Sequence, residues 1–294
     1  AACNSSPAPT TGNPTPKASV SPTATPPAPT STPRPAPAHF TTKLLLQGSA
    51  RPDDLAFDLQ GNILFSDFYA GTVSRLNADG SVTVLLHNIA GPEGIVMLAD
   101  GTLILAEQKT NRILTIAPGS TTPTLLRSLP GTPSTASCKD GVDGIAYDPI
   151  TKTVIVPDSP TGEVYRLSLD GQTLTLLASG IVRPVGAVAD AQGNIYVADE
   201  CGGAVVKIAP DGTKTSLGGF GMPDDVAFDQ EGNLLVTDLR PSIHALVRVN
   251  LQTGQHETLT STGLFEPQGL LVTAQDHIIV SDDATNIIEE LIPA

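Results

Sequence analysis

Residues 222–238 read MPDDVAFDQEGNLLVTD. A proline and two acids lead into the short apolar run DVAFD (225–229), and a second run, LLVTD (234–238), ends on an acid. Between them lies Gln230-Glu231-Gly232-Asn233, where Gly supplies the positive φ that tight hairpin turns require. The stretch therefore predicts two antiparallel strands joined by a tight turn. It returns five more times. The entry motif x-P-x-[GD] recurs at Arg51-Pro52-Asp53-Asp54, Gly91-Pro92-Glu93-Gly94, Gly141-Val142-Asp143-Gly144, Arg183-Pro184-Val185-Gly186 and Glu266-Pro267-Gln268-Gly269. Its third positions are 53, 93, 143, 185, 224 and 268, spaced by 40, 50, 42, 39 and 44 residues. A period near 40 with short strands signals propeller blades.

Each repeat continues with an alternating third strand, such as VSRL or VVKI, and a fourth, such as SVTVLLH. The sixth repeat stops after its third strand, Ile287–Ile292, while Thr42–Gln47 has no partner of its own. Pairing the two removes an exposed edge and closes a ring. The expectation is an all-β, six-bladed β-propeller of four-stranded blades over residues 40–294, closed by the N-terminal strand in the last blade.

Residues 1–39 are a different polymer, holding 11 of the chain's 26 prolines, two cations and no acid. Such a Pro/Thr/Ser segment cannot bury enough apolar surface to offset ordering entropy, so it reads as a disordered, extended tether. The remaining residues carry −16 of a total charge of −14. That charge argues against nucleic acid and against direct adsorption to an anionic membrane. Small residues before Cys3 and the tether after it resemble the cleavage region of bacterial lipoproteins. The resemblance implies lipid on Cys3 and an exported protein, lipid-anchored at the cell surface or in the periplasm. The alternative is a plain thiol. A monomer is expected.

The third motif positions should form a ring at one channel mouth: Asp53, Glu93, Asp143, Val185, Asp224 and Gln268. Four carboxylates there repel unless protonated or bound to a cation. Oxygen donors without Cys or His suit a hard ion, Ca²⁺ before Mg²⁺. The metal candidates are Asp53, Glu93, Asp143, Asp224 and Gln268, against the plainer reading of solvated or turn-capping acids. A second set, Asp67, Glu107, Asp158, Asp199, Asp238 and Asp282, recurs in every blade and reads as caps for backbone N–H groups.

The motifs P-[DE]-[GD]-hydrophobic and D-x-x-G-N-h-h-V-h-D resemble two six-bladed groups. These are the senescence-marker/gluconolactonase-like family, with its paraoxonase-like relatives, and the NHL-repeat group. The first resemblance implies a Ca²⁺-dependent hydrolase of small lactones or esters. In it Asp53, Asp143 and Asp224 stand at ligand positions, Asp224 doubles as general base, and Val185 stands where a ligand Asn is expected. The doubled acids Asp53-Asp54 and Asp224-Asp225 resemble the paired ligands of paraoxonase-like relatives. His87 and His244 are the histidines placed to reach the channel face and are the further catalytic candidates. The second resemblance implies a non-catalytic scaffold that binds a protein or glycan at the same face. A lyase of the streptogramin-inactivating kind shares the repeat style but not its His placement or blade number.

Two cysteines remain. Cys138 precedes the third blade's inner strand and Cys201 follows the fourth blade's second strand, so both emerge on the mouth face of neighbouring blades. An exported protein permits a bridge between them. Closing a loop of about 64 residues would stabilise by roughly 4 kcal/mol.

Overall fold

The computed structural model describes residues 39–240 and 244–294. The tether and Cys3 lie outside the described residues. Six antiparallel sheets of four strands each make up the ring. The fifth blade illustrates the order: Pro223–Phe228 at the channel, then Leu234–Asp238, Ala245–Val249 and His256–Thr260 outward. Apart from the short 3-10 turn Gln108–Thr110, the described residues carry no helix. None is therefore long and apolar enough to cross a membrane.

The closure is as expected. The sixth blade runs Pro267–Val272, Ile278–Asp282, Ile287–Pro293 and then Phe40–Gln47, from the other end of the domain. The two ends pair antiparallel from Phe40–Pro293 to Gln47–Ile287, with a bulge at Leu45.

Burial explains the strand patterns. The second strand of each blade is covered on both faces by its neighbours, and ILFSD, LILAE, IYVAD, LLVTD and IIVSD are buried at every position. That is why they read as unbroken apolar runs. Outer strands such as Val82–Leu86 are mostly exposed. The apolar clusters lie between blades: Val96, Ile104 and Ile113 of the second pack with Val154, Val156 and Leu167 of the third. Each such buried side chain contributes about 1.5–3 kcal/mol. In the D-x-x-G-N turn, Asp229 accepts the Asn233 N–H (2.8 Å) and its side-chain amide (2.8 Å), and Gly232 holds φ +81°. The same clamp joins Asp58 to Asn62 and Asp190 to Asn194.

Candidate functional site

A β-bulge aims the ring residues. In the second, fourth, fifth and sixth blades the ladder slips just after the motif proline, between Pro92 and Ile95, Pro184 and Ala187, Pro223 and Val226, and Pro267 and Leu270. Two residues per blade are left out of the pairing, as a bulge does when it redirects a side chain. In the first and third blades the inner strand starts later, at Leu55 and Ala146, so Asp53 and Asp143 precede it. The fourth motif position is where inner strands converge. A Cβ on Gly144 would meet the Gly186 Cα at 2.8 Å, and one on Gly186 the Asp224 carbonyl at 2.5 Å. Asp replaces Gly only where its carboxylate can staple blades. Asp54 accepts the N–H of Leu55 and of Ile95 in the next blade (both 2.7 Å), and Asp225 those of Val226 (2.7 Å) and Leu270 (2.8 Å).

The mouth opens into a cavity of about 490 Å³, within the range of small-molecule sites. Asp53, Glu93, Asp143, Asp224 and Gln268 all line it. Val185 does not complete the ring as expected. Fully buried, it packs with Tyr196, Ala198 and Phe220 in the core between blades four and five.

Two further rings were not anticipated. Each capping acid is followed by Phe68, Gln108, Ser159, Glu200, Leu239 or Asp283, and all but Ser159 line the cavity. The first motif position contributes Arg183, Met222 and Glu266. The signal was in the repeat: both positions vary from blade to blade beside neighbours that do not. The capping acids themselves do what their recurrence implies. Asp199 accepts the N–H groups of Val182 (3.2 Å), Arg183 (2.9 Å) and Gly202 (3.0 Å). Asp238 and Asp282 cap the corresponding segments of blades five and six.

Charge at the mouth is lopsided. Of the lining residues only Arg183 is a cation. Its Nη2 lies 3.0 Å from Asp143 and 3.5 Å from Asp140, and its Nη1 pairs with Glu200. The Gln108 side-chain amide donates a further hydrogen bond to Asp143 (3.1 Å). Arg51, stacked 3.8 Å over Tyr69, is spent on Asp283 (3.0 Å). Asp53 and Glu93 hydrogen-bond each other and have no cation, and Asp224 feels Arg183 only at a distance, without an ion pair. Burial, then the charges around them, pushes all three well above the usual carboxylate range. Asp143 is also raised by burial, against the pull of Arg183. Asp225 is raised well up by burial and by Asp54, and Asp54 itself to about 7 by burial. Beneath the ring, Asp53, Asp54, Asp143, Asp224 and Asp225 border a void of about 10 Å³, enough for one water. Among the described residues no three acids, His or Cys converge on a single point as a metal cage.

Neither histidine candidate lines the cavity. His87 is exposed beyond the first blade's outer strand, and His244 stacks on Phe265 at 4.7 Å between ring centres. The expected bridge is present: Cys138 and Cys201 are joined, with Cα atoms 6.1 Å apart.

No family model matches the chain, and no curated protein matches it. Solved structures do. A gluconolactonase from Xanthomonas campestris superposes with a TM-score of 0.72 at 18% identity, covering 87% of this chain and 90% of that one. A catalytically inactive virginiamycin B lyase from Staphylococcus aureus, with quinupristin, gives 0.65 at 14%, covering 86% and 99%. A PQQ-bound aldose sugar dehydrogenase from Streptomyces coelicolor gives 0.67 at 16%, covering 87% and 99%. The shared feature is the propeller. At these identities the likeness shows the fold alone.

Proposed function

We propose that the channel mouth is the active site of a hydrolase acting on small lactones or esters, dependent on a hard divalent cation, Ca²⁺ before Mg²⁺. One observation carries the reading. Asp53, Glu93 and Asp224 are buried around a substrate-sized cavity and none of them forms an ion pair among the described residues. Buried carboxylates in that state require either protons or a cation. Their oxygens are hard donors, and Gln268, whose amide N–H points to Asp283 (3.5 Å), is the neutral ligand beside them. Asp143 is already balanced by Arg183, so its part is to hold that guanidinium at the mouth. The bound ion would polarise the ester carbonyl and make water a better nucleophile.

Asp224, ionised once the ring's charge is balanced, takes the proton of the attacking water. Phe68, Met222 and Leu239 supply the apolar wall against which the substrate's carbon skeleton rests. The gluconolactonase likeness supports this reaction class, and the half-exposed disulfide supports a location outside a reducing cytosol. Lipid on Cys3 is the proposed anchor there.

Metal analysis of the purified protein, followed by a lactone and aryl-ester panel with and without EDTA, tests the proposal. EDTA-sensitive hydrolysis, lost in Asp224→Ala, is expected. A protein that takes up no cation and hydrolyses nothing on the panel is a binding scaffold instead.

A further inference from the structure

The extra length of the 50-residue spacing lies in the segment 129–145, which passes over the mouth without forming a strand. Its base is fixed to the ring: Gly131 donates to Asp158 (2.9 Å), and Val142 to the side chain of Asn111 (2.7 Å). Its tip is held by Lys139 on the Pro160 carbonyl (3.1 Å), by Asp140 on Arg183 (3.5 Å), and by Cys138 on Cys201. Cys138 and Cys201 each sit beside one partner of the same guanidinium. Asp140 lies two residues from Cys138, and Glu200 is next to Cys201. Disulfide and ion pairs thus form one closed loop around Arg183, from Cys138 through Asp140, Arg183 and Glu200 to Cys201. Cys138 holds a left-handed φ of +65°, a conformation unfavourable for a non-glycine residue unless its surroundings enforce it. Both cysteine residues are half-exposed.

We infer that the Cys138–Cys201 bridge is a redox control on the channel mouth that acts through Arg183. Oxidised, it keeps Asp140 and Glu200 together and the guanidinium clamped over Asp143. An external dithiol reduces it by exchange: the dithiol becomes a disulfide, and Cys138 and Cys201 become thiols. The tip then parts from the ring and Asp140 leaves with it, so Arg183 keeps only Asp143 and Glu200 and opens to solvent more often. The mouth keeps its one positive group, but that guanidinium is held by two carboxylates in place of three. The effect on activity rests on the hydrolase reading; the movement of Arg183 does not.

Arg183 is therefore followed directly, by phenylglyoxal modification read out by peptide mass spectrometry. Oxidised wild type, dithiol-treated wild type and the Cys138→Ser/Cys201→Ser protein are compared, each with a melting curve to show that it is folded. Arg183 labelling should rise about threefold on loss of the bridge, the factor expected when one half-exposed ion pair is lost. Arg166, paired with Asp148 on the third blade (2.8 Å), should not change. Equal labelling of Arg183 in folded oxidised and reduced protein overturns the inference. Should the double variant fail to fold, Cys138→Ala decides. It opens the same bridge and leaves Cys201 in place, and unchanged Arg183 labelling there equally overturns the inference. Hydrolysis is a separate arm. Redox-dependent labelling in a protein that hydrolyses nothing ends the hydrolase reading and leaves the clamp standing.

Discussion

Asp54→Asn should stabilise the cation-free protein at pH 8 and destabilise it at about pH 3.5. The Asp54 carboxyl staples blades one and two, accepting N–H groups from Leu55 and Ile95 at 2.7 Å each. Burial raises it from its ordinary 3.8 to about 7. A raised acid favours the folded state while protonated. Its contribution is complete below pH 4 and is lost as pH rises through about 7. That rise corresponds to about 4 kcal/mol, which solvent reaching the channel trims to about 2–3 kcal/mol. Asn removes this cost but offers one acceptor where the carboxylate offers two, losing about 1 kcal/mol. The balance at pH 8 is a gain of about 1–2 kcal/mol, or roughly 3–6 °C in melting temperature for a domain of this size. At about pH 3.5 the carboxyl is largely neutral folded and unfolded alike, the charge gain vanishes, and the variant is about 1 kcal/mol less stable. Thermal unfolding in EDTA at the two pH values gives the answer. A loss of the same size at both would refute the claim that the buried charge outweighs its hydrogen bonds.

Removing residues 1–39 should leave the melting temperature unchanged, whereas removing 1–47 bares the edge of Ile287–Pro293 and should give aggregates on size exclusion. Asp199→Ala orphans the backbone N–H groups of Val182 and Arg183 and should cost about 2–4 kcal/mol in urea denaturation. A loss below about 0.5 kcal/mol would make those caps incidental. Gly186→Ala presses a methyl against the Asp224 carbonyl at 2.5 Å and the Asp225 carboxylate at 2.6 Å. It should cost about 1–3 kcal/mol, and an unchanged urea midpoint would show that the inner strands have slack.

The fold was legible because a repeat turns position into geometry. Once Asp53 and Asp224 occupy one place in the period, they must share one level of the channel. Thr42–Gln47 must likewise complete the blade that lacks a strand. The same logic gave the capping acids, whose recurrence follows from a turn that every blade makes. The Cys138–Cys201 bridge was legible from two loops emerging on one face of adjacent blades. What the period could not settle is which side chains meet across the ring. Val185 shares its register with Asp224, yet it turns into the core, because the apolar contacts of blades four and five hold it there more strongly than the channel can. His87 and His244 looked close to the mouth from strand order, but strand order gives no direction beyond the end of a strand. Arg183 passed unnoticed at the first motif position. Its role depends on Asp140, Asp143 and Glu200, which come from separate segments. Charge pairing acts through space over a few ångströms, so only the closed ring decides which carboxylates keep a cation and which are left to find one.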